Sequence, residues 1–423
     1  MLIEPIEFNE NPRGRTLNML YIESHQARKV KDTMKKKINV AIIGTKFMGK
    51  AHSNGWLQAA KFFDLPYEPV LKMVCAQDMK SATEFARNWG YEKVEGDWRR
   101  AIEDPDIDVI SVCTPTYLHK EIVVEAAKAG KHIVCEKPAA MDYESAHEMA
   151  KAADEAGVLH YLNHNYRRVP AITFAKQLID EGKIGEIYHW RGTYLQDWIM
   201  DPEFPLIWQL KKENAGAGPH FDLNSHSVDL ARYLVGEIKE VSAMMKTFVK
   251  ERPLPGTGAG TFLAGGEVSV GKGVVEIDDA SFMTVEFENG ALGSFDASRF
   301  AGGRKNYNYF EIYGSKGSLL FDLERMNELQ YFDRSDPVEL QGFRTIPTTQ
   351  AEHPYMSAWW PVAHIIGYEH TFANAIKDFL EALAKGERVE PNLHDGAKIM
   401  QVLDAAILSD KEGRKVNVNE ITG

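Results

Sequence analysis

Apolar residues in the first part of the chain fall into short runs, and each run is followed by a segment of helical character. The runs are rich in β-branched residues, which is typical of buried parallel strands. The predicted strands are Ile38–Gly44, Val70–Ala76, Val109–Cys113 and His132–Cys135. One helix is predicted after Gly49, and three more are predicted to span Ser81–Trp89, Lys120–Ala129 and Asp142–Ala156. This alternation predicts a doubly wound parallel sheet, which binds ligands beyond the carboxyl ends of its strands.

The second part of the chain has the pattern of antiparallel strands. Residues Glu186–Gln196 alternate between apolar and polar positions. An Asn289-Gly290 turn joins Ser281–Phe287 to Ala291–Ser298, which predicts a hairpin. A second hairpin is predicted from Phe310–Tyr313 and Ser318–Phe321. Between these strands, Gly256–Gly273 is interpreted either as an arm-like insertion or as a surface loop.

Length and charge restrict the class of protein. A chain of 423 residues has room for two or three domains. Its net charge of −12 argues against nucleic-acid binding by the chain as a whole. The 3 cysteines are too few for a disulfide framework, which favours a reducing, cytoplasmic setting. Apolar runs are too short for a membrane span, so no membrane association is expected.

Residues 1–37 differ from the remainder because they lack an apolar period and end in a basic cluster between Arg28 and Lys37. Two interpretations are a solvated arm and an arm that docks on a neighbouring subunit. Met34 is also a plausible natural start immediately before the first strand. We therefore treat residues 1–37 as an amino-terminal arm.

A glycine-rich turn follows the first strand. Gly44 and Gly49 match the first and third glycines of the dinucleotide fingerprint, whereas Lys46 replaces the second. Its position between a strand and a helix predicts a nucleotide site that includes Phe47 and Met48. The second strand ends at Ala76, where an acidic residue commonly holds the ribose hydroxyls. NAD is favoured over NADP, which is not excluded.

Three polar residues are candidates for acid–base chemistry. Lys137 lies in a Glu-Lys-Pro sequence at the end of a predicted strand, so we expect its side chain to face the ligand edge of the sheet. Asp222 and His226 are four residues apart in a predicted helix that runs from Pro219 to Gly236, so they share one face. A histidine can accept a proton near neutral pH, and a carboxylate can orient it. A metal set that adds His220 fits no standard ligand spacing, so no metal is predicted.

The ordered set of motifs resembles the Gfo/Idh/MocA oxidoreductases, and the resemblance extends from residue 38 to about residue 410. Within that family the likeness is greater to sugar 3-dehydrogenases, on the stretches 192–198, 231–236, 342–345 and 353–355 and on the glycine-rich segment 253–278. The family motifs are Ala41–Gly44, Phe47–His52, Cys113–His119, Glu136–Pro138, Asn165–Arg168 and Gly218–His226.

The resemblance implies a Rossmann domain at residues 38–160 and, at residues 161–423, an α+β domain with a large, mostly antiparallel sheet that forms a homo-oligomer. It implies that Lys137, Asp222 and His226 are catalytic. The implied cofactor contacts are Gly44, Lys46, Phe47, Met48, Gly49, Ala76, Thr114, Pro115, His119, Glu136 and Lys137. The candidate substrate contacts are Lys137, Asn165, Arg168, Tyr194, Gln196, Asp197, Trp198, Asp222 and His226.

The expected reaction oxidises a secondary hydroxyl, the 3-hydroxyl of a glucose-type sugar, anhydrosugar or glycoside. The carbinol carbon gives a hydride to NAD, and the hydroxyl gives up its proton. His226 is the expected base, Lys137 shares the proton, and Asp222 tunes His226. Three alternatives are open. In one, NAD stays bound and is recycled, with a keto-sugar acceptor or in a redox-assisted glycosidase. The others are a non-catalytic sugar or nucleotide sensor, and a metal-dependent hydrolase.

Overall fold

The computed structural model describes residues 35–256 and 268–423. The first strand begins at Lys36, so the end of the predicted arm belongs to the sheet, and residues 1–34 lie outside the described part. The central part of the Gly256–Gly273 segment, residues 257–267, also lies outside it. Its last residues belong to a strand, Val268–Val274, which pairs with Glu251–Pro255 in an antiparallel ribbon. This part of the segment is therefore not a loop.

The amino-terminal half is a parallel sheet of six strands in the order β3-β2-β1-β4-β5-β6. Its strands are β1 (Lys36–Ile43), β2 (Tyr67–Cys75), β3 (Lys93–Glu95), β4 (Val109–Val112), β5 (His132–Cys135) and β6 (His160–Leu162). Its helices are α1 (Phe47–Phe62), α2 (Met79–Trp89), α3 (Arg99–Glu103), α4 (His119–Lys128) and α5 (Tyr143–Ala156). The order reverses beside β1, which creates the crevice in which such sheets bind ligands.

The other half is built on a mixed sheet of nine strands in the order β16-β15-β14-β13-β7-β12-β11-β8-β17. Its strands are β7 (Ile187–Leu195), β8 (Ile238–Lys246), β11 (Ala280–Phe287), β12 (Leu292–Ser298), β13 (Tyr307–Gly314), β14 (Gly317–Asp322), β15 (Glu328–Asp333), β16 (Arg344–Pro347) and β17 (Val416–Asn417). The separate ribbon consists of β9 (Glu251–Pro255) and β10 (Val268–Val274). Both predicted hairpins are present, as β11–β12 and β13–β14. Strands β7 and β12 are parallel, so the sheet is mostly rather than wholly antiparallel.

The helices of this half are α6 (Pro170–Asp180), α7 (Lys212–Ala215), α8 (Pro219–Asp222), α9 (Asn224–Leu234), α10 (Tyr368–Lys385) and α11 (Leu393–Glu412). The single helix predicted after Pro219 is wrong, because the helix breaks at Leu223. Asp222 therefore ends one helix and His226 lies in the first turn of the next.

Helix α10 returns from the end of the chain to cover the parallel sheet. The ring of Phe379 meets Trp56 of α1 edge-on, with ring centroids 5.9 Å apart. At Gly55, a β-carbon would lie 3.0 Å from the β-carbon of Phe372, so a glycine lets the two helices approach closely. Carboxyl-terminal residues thus complete the core of the amino-terminal sheet.

All 3 cysteines are free and buried. Burial raises the pKa of the Cys75 thiol to about 12. These thiols are therefore held in their inert, protonated form. The cytoplasmic setting stays a prediction. Within the described residues, the helices include none that is long and apolar enough to cross a bilayer.

Candidate functional site

The turn after β1 is shaped for close backbone approach. Gly44 has a φ of 110°, and its amide donates to the Cys75 carbonyl at 2.9 Å. A β-carbon at Gly44 would lie 2.4 Å from the carbonyl oxygen of Cys113. At Gly49, a β-carbon would lie 2.2 Å from the Gly44 carbonyl oxygen. Both positions therefore require glycine, as the predicted fingerprint demands.

Helix α1 begins directly after this turn, and its first amides provide a site for an anion such as a phosphate. Lys46 precedes the helix, is exposed, and makes no side-chain cap. Phe47 is 57% exposed, and its ring stacks against Tyr368 of α10 at 6.0 Å. Met48 is half-buried. The two halves of the chain thus meet beside the predicted phosphate site.

The ribose side of this crevice has no carboxylate at the end of β2. Ala76 occupies that position, and its amide donates to the carbonyl of Glu95 at 3.0 Å. The nearby carboxylate of Asp78 caps α2, where it accepts from the amides of Lys80 and Ser81 at 3.1 Å. Asp78 is therefore engaged in helix capping.

The ends of β4 and β5 are joined through His119. Its Nε2 contacts the Thr114 carbonyl at 3.0 Å, and its Nδ1 contacts the carbonyls of Pro138 at 3.0 Å and Ala139 at 3.2 Å. His119 is 1% exposed and holds the backbone on both sides of the crevice. Pro115 is half-buried. The Thr114 hydroxyl is buried without a hydrogen-bond partner in the described part of the chain, which fits a bound ligand.

Glu136 lies in a buried polar cluster. Its Oε1 accepts from His52 Nε2 at 2.7 Å and from Asn163 Nδ2 at 2.6 Å, and His52 Nδ1 bonds to Ser111 Oγ at 2.8 Å. Burial raises the pKa of Glu136, but the hydrogen bond from His52 and nearby positive charge outweigh it, so the pKa is lowered. This cluster ties α1 to the ends of β4, β5 and β6.

The neighbouring residue, Lys137, points to the second half of the molecule. Its Nζ lies 2.6 Å from Asp222 Oδ1 and 3.1 Å from the Asp222 carbonyl oxygen. Asp222 Oδ2 accepts from Arg299 Nη2 at 2.5 Å. Burial raises the pKa of Asp222, but the positive charges of Lys137 and Arg299 hold it far below its usual range. Asp222 is thus an ionised carboxylate between two cations.

His226 lies against aromatic rings beside this ion pair. Its ring centroid is 4.5 Å from that of Tyr166 and 5.9 Å from that of Tyr194. Burial, the charge of Lys137 and the neighbouring His164 lower the pKa of His226 well below its usual value, against the opposing effect of Asp222. The imidazole is therefore neutral at physiological pH and able to accept a proton.

The predicted substrate residues at the end of β7 form a hydrogen-bonded chain. Tyr194 Oη donates to Asn306 Oδ1 at 2.8 Å, and Gln196 Nε2 donates to the same oxygen at 3.1 Å. Gln196 Oε1 accepts from Trp198 Nε1 at 2.8 Å. The guanidinium of Arg299 lies over the Trp198 ring at 5.1 Å, which connects this chain to Asp222.

Three other predicted substrate residues bond elsewhere. Asp197 Oδ2 lies 2.7 Å from Lys305 Nζ. Asn165 Nδ2 donates to Thr371 Oγ1 at 2.8 Å. Buried Arg168 donates to the Glu390 carbonyl, and its Nε lies 2.7 Å from Asp378 Oδ2. These contacts link Asn165 and Arg168 to the carboxyl-terminal region rather than to Lys137, Asp222 or His226.

Sequence reasoning missed Arg299, Asn306 and Tyr166. Arg299 is 1% exposed and directly follows β12, so the available signal was a charged residue at the end of a predicted strand. Tyr166 lies inside the recognised Asn165–Arg168 motif. Asn306 precedes β13 and carries no local signal.

The histidine of the metal alternative is engaged in the core. His220 Nδ1 bonds to Ser281 Oγ and its Nε2 to the Leu403 carbonyl, both at 2.9 Å. A different group, Asp154, His160 and His394, brings its ligand atoms within 4.8 Å of one another. His160 Nδ1 accepts from the Leu393 amide at 3.2 Å, which places the ring proton on Nε2, the atom that faces Asp154. That tautomer opposes metal binding through Nε2.

Family sequence profiles match both halves of the chain. The profile of an oxidoreductase family with an NAD-binding Rossmann fold matches residues 38–164, and that of the GFO/IDH/MocA C-terminal domain matches residues 172–320. The chain belongs to the Gfo/Idh/MocA oxidoreductase family. The predicted family and fold class are confirmed, and the parallel sheet is an NAD-binding Rossmann domain. The glycine cradle and the amino terminus of α1 fit that cofactor.

Several family members are similar over nearly their whole length. Levoglucosan dehydrogenase of Pseudarthrobacter phenanthrenivorans is 43% identical over 389 residues, which cover 91% of this chain and 99% of that protein. A solved structure of levoglucosan dehydrogenase with NADH and levoglucosan is 42% identical, covers 90% of this chain and 100% of its own, and has a TM-score of 0.85. The 2,7-anhydro-N-acetylneuraminate hydratase of Escherichia coli is 28% identical over 91% of this chain and 98% of its own. This chain is thus an NAD-dependent oxidoreductase with relatives that act on anhydrosugars.

Proposed function

We propose that this protein uses NAD to oxidise a secondary hydroxyl to a ketone. The substrate is a glucose-type sugar, anhydrosugar or glycoside, and the hydroxyl is the one on carbon 3. The proposal is carried by one arrangement: the ion pair of Lys137 and Asp222 lies beside the neutral imidazole of His226, at the ligand edge of an NAD-binding sheet. Bound NAD would accept the hydride from the carbinol carbon. The likeness to levoglucosan dehydrogenase supports the sugar class.

The residues of this chain supply the acid–base part of the reaction. His226 would accept the hydroxyl proton, because its lowered pKa keeps the imidazole in the neutral form, which carries a free lone pair. The ammonium group of Lys137 would stabilise the negative charge that develops on the substrate oxygen. Asp222 holds that ammonium at 2.6 Å and so fixes its direction. Together these residues orient the hydroxyl, move its proton and stabilise its oxygen.

The chain of Tyr194, Gln196 and Trp198 would bind the sugar. It offers hydrogen-bonding groups for hydroxyls and an indole ring for the apolar C–H face of a pyranose. Arg299 joins it because its Nε and Nη1 are buried without hydrogen-bond partners among the described residues. A sugar hydroxyl would satisfy these donors.

The test is a panel of sugars incubated with the purified protein and NAD, with formation of NADH followed by absorbance. Levoglucosan and glucosides are expected to give turnover, and a 3-deoxy analogue of an active sugar is expected to give none. Lys137→Ala is the inactive control. Absence of NADH formation with every sugar would contradict the proposal, and turnover of the 3-deoxy analogue would contradict the position.

A second candidate is a reaction in which NAD is reduced and reoxidised within each cycle. A relative named as a hydratase favours it, because hydration involves no net oxidation. This candidate predicts that NAD remains bound during purification. It also predicts that an anhydrosugar or glycoside is consumed without accumulation of NADH, which product analysis would show.

We also propose that two copies associate through the outer face of the nine-stranded sheet. Phe282 and Met244 lie opposite each other on that face, and they are 50% and 70% exposed. Leu292, opposite Glu286 on the same face, is 60% exposed. These three side chains expose apolar surface on a face that also carries Thr284 and Glu286, and burial of that surface against a second sheet would be favourable. A dimer or larger assembly in sedimentation is expected, and Phe282→Glu should weaken it.

A further inference from the structure

Two buried histidines lie next to each other behind the candidate active site. The ring of His164 meets that of His226 edge-on, with centroids 5.4 Å apart and an angle of 88°. His164 is 1% exposed and His226 is 6% exposed. His164 directly follows Asn163, whose amide belongs to the buried cluster around Glu136. Its backbone is therefore fixed at the end of β6.

Three nitrogen atoms of these rings are buried without hydrogen-bond partners in the described residues. They are Nδ1 of His226 and both Nδ1 and Nε2 of His164. Buried polar nitrogens in proteins are nearly always paired, directly or through an ordered water. Each of these three atoms, in two rings that contact each other, therefore requires a partner.

The proposed chemistry requires one tautomer of His226. If Nε2 accepts the substrate proton, then Nε2 must carry the lone pair, and the proton of the neutral ring must lie on Nδ1. A buried Nδ1–H without an acceptor is costly. The active tautomer therefore needs a hydrogen-bond acceptor on the side of His226 that faces away from the substrate.

The ion-paired carboxylate next to His226 and the tyrosine rings in contact with it already have partners. Asp222 is paired with Lys137 and Arg299, and the hydroxyl of Tyr166 lies 2.9 Å from that of Tyr194. His164 differs, because burial lowers its pKa to about 4 and leaves it neutral, with one nitrogen able to accept. Asp229, which is also near, is held by Arg167 through bonds of 2.7 and 3.0 Å.

We propose that His164 is a positioning residue that accepts a hydrogen bond from Nδ1 of His226 through one buried water, and thereby fixes the tautomer in which Nε2 is the proton acceptor. The role of this tautomer rests on the proposed function. The tautomer itself is a property of the protein and can be measured without substrate.

The first test is nuclear magnetic resonance of protein labelled with 15N-histidine. Long-range proton–nitrogen correlations are expected to show His226 as the Nδ1–H tautomer, with its signals assigned by their loss in His226→Asn. In His164→Leu the Nε2–H form should gain population, whereas His164→Gln, which keeps an acceptor oxygen, should retain the Nδ1–H form. An unchanged tautomer in His164→Leu would overturn the proposal.

The hydroxyl of Ser227 provides the matched control. It is adjacent to His226 in the chain and is also buried without a partner among residues 35–256 and 268–423. Ser227→Ala is expected to leave the tautomer unchanged. A shift in Ser227→Ala that equals or exceeds the shift in His164→Leu would assign the acceptor to Ser227 and overturn the proposal.

The second test is kinetic. With an active sugar, His164→Leu is expected to lower kcat by about 10- to 100-fold while the substrate KM changes less than about 2-fold, since removal of such a supporting partner typically costs that much activity. His164→Gln should recover most of the loss. Equal losses in both variants, or a loss confined to KM, would contradict the role. If no sugar is oxidised, the proposed function fails, but the tautomer measurement still decides the role of His164.

Discussion

Two polar clusters lie side by side at the ends of β5 and β6. After each of these strands, the first residue belongs to one cluster and the second residue to the other. Glu136 and Asn163 belong to one cluster, in which His52, Ser111 and the Glu136 carboxylate satisfy one another. Lys137 and His164, the next residues along each strand, belong to the other. There, the nitrogens of His164 and Nδ1 of His226 have no partners in the described part of the molecule.

From this difference we infer that the first cluster stabilises the fold and the second serves the reaction. A fully paired buried cluster fixes the relative positions of α1 and three strands, because each group would be costly to leave unpaired. An incompletely paired cluster on the same strand ends retains the capacity to bind water, cofactor or substrate. The comparison predicts that changes in the first cluster affect stability, whereas changes in the second affect activity.

The largest effect is expected from Lys137→Met. Loss of the ammonium removes the stabilisation of the substrate oxygen, so kcat should fall about 1,000-fold. Stability should change little, because Asp222 keeps its bond to Arg299. Steady-state kinetics and thermal unfolding would measure both. Lys151→Met, on the exposed surface of α5, is the matched control, and a loss of activity in that variant would contradict the interpretation.

A loss of stability is expected from Glu136→Leu. It would leave His52 and Asn163 buried without their common acceptor and lower the free energy of unfolding by about 3 kcal/mol. His164→Leu, which breaks no hydrogen bond to a described residue, should lower it by less than about 1 kcal/mol. Urea unfolding of both variants tests the contrast directly. Equal losses would show that the two clusters do not differ in the way we infer.

A smaller effect concerns pH. Burial and the charge of Lys137 lower the pKa of His226, so proton uptake should begin only well below the usual histidine range, and kcat/KM should fall only as the pH drops through that lowered value. In Lys137→Met the positive charge is lost, so the pKa of His226 should rise. A nuclear magnetic resonance titration of both proteins would show it. A pKa that is unchanged or lower in the variant would be inconsistent with this electrostatic account.

The smallest effect is expected at the phosphate turn. If Lys46 lies beside the cofactor phosphates, Lys46→Ala should weaken NADH binding by about 3- to 5-fold, equivalent to about 0.6–1 kcal/mol. The difference should shrink at high salt, because an exposed charge is screened. Fluorescence titration at two salt concentrations measures it, with Lys50→Ala as the control. No difference at low salt would mean that the Lys46 side chain does not contact the phosphates.

Local patterns predicted the parts of the site that lie in one segment. The strand, the glycine turn and the start of α1 are consecutive, and the Asp142 cap and the Asn289-Gly290 hairpin follow from neighbouring residues. The proximity of Asp222 and His226 was predicted from their spacing, but the single helix was wrong because the helix breaks at Leu223. A spacing rule places two residues on one face only if the helix between them is continuous.

The sequence by itself determined the Rossmann strands, the glycine positions and the three candidate catalytic residues, because these depend on short-range periodicity and on motif order. Only the tertiary structure decided which side chains meet them. Arg299 reaches Asp222 from 77 residues away, and α10 packs on α1 from the other end of the chain. Such contacts depend on how two sheets are placed against each other, and no local pattern specifies that placement. The same placement leaves His164 beside His226, although nothing in the residues around His164 indicates a polar partner.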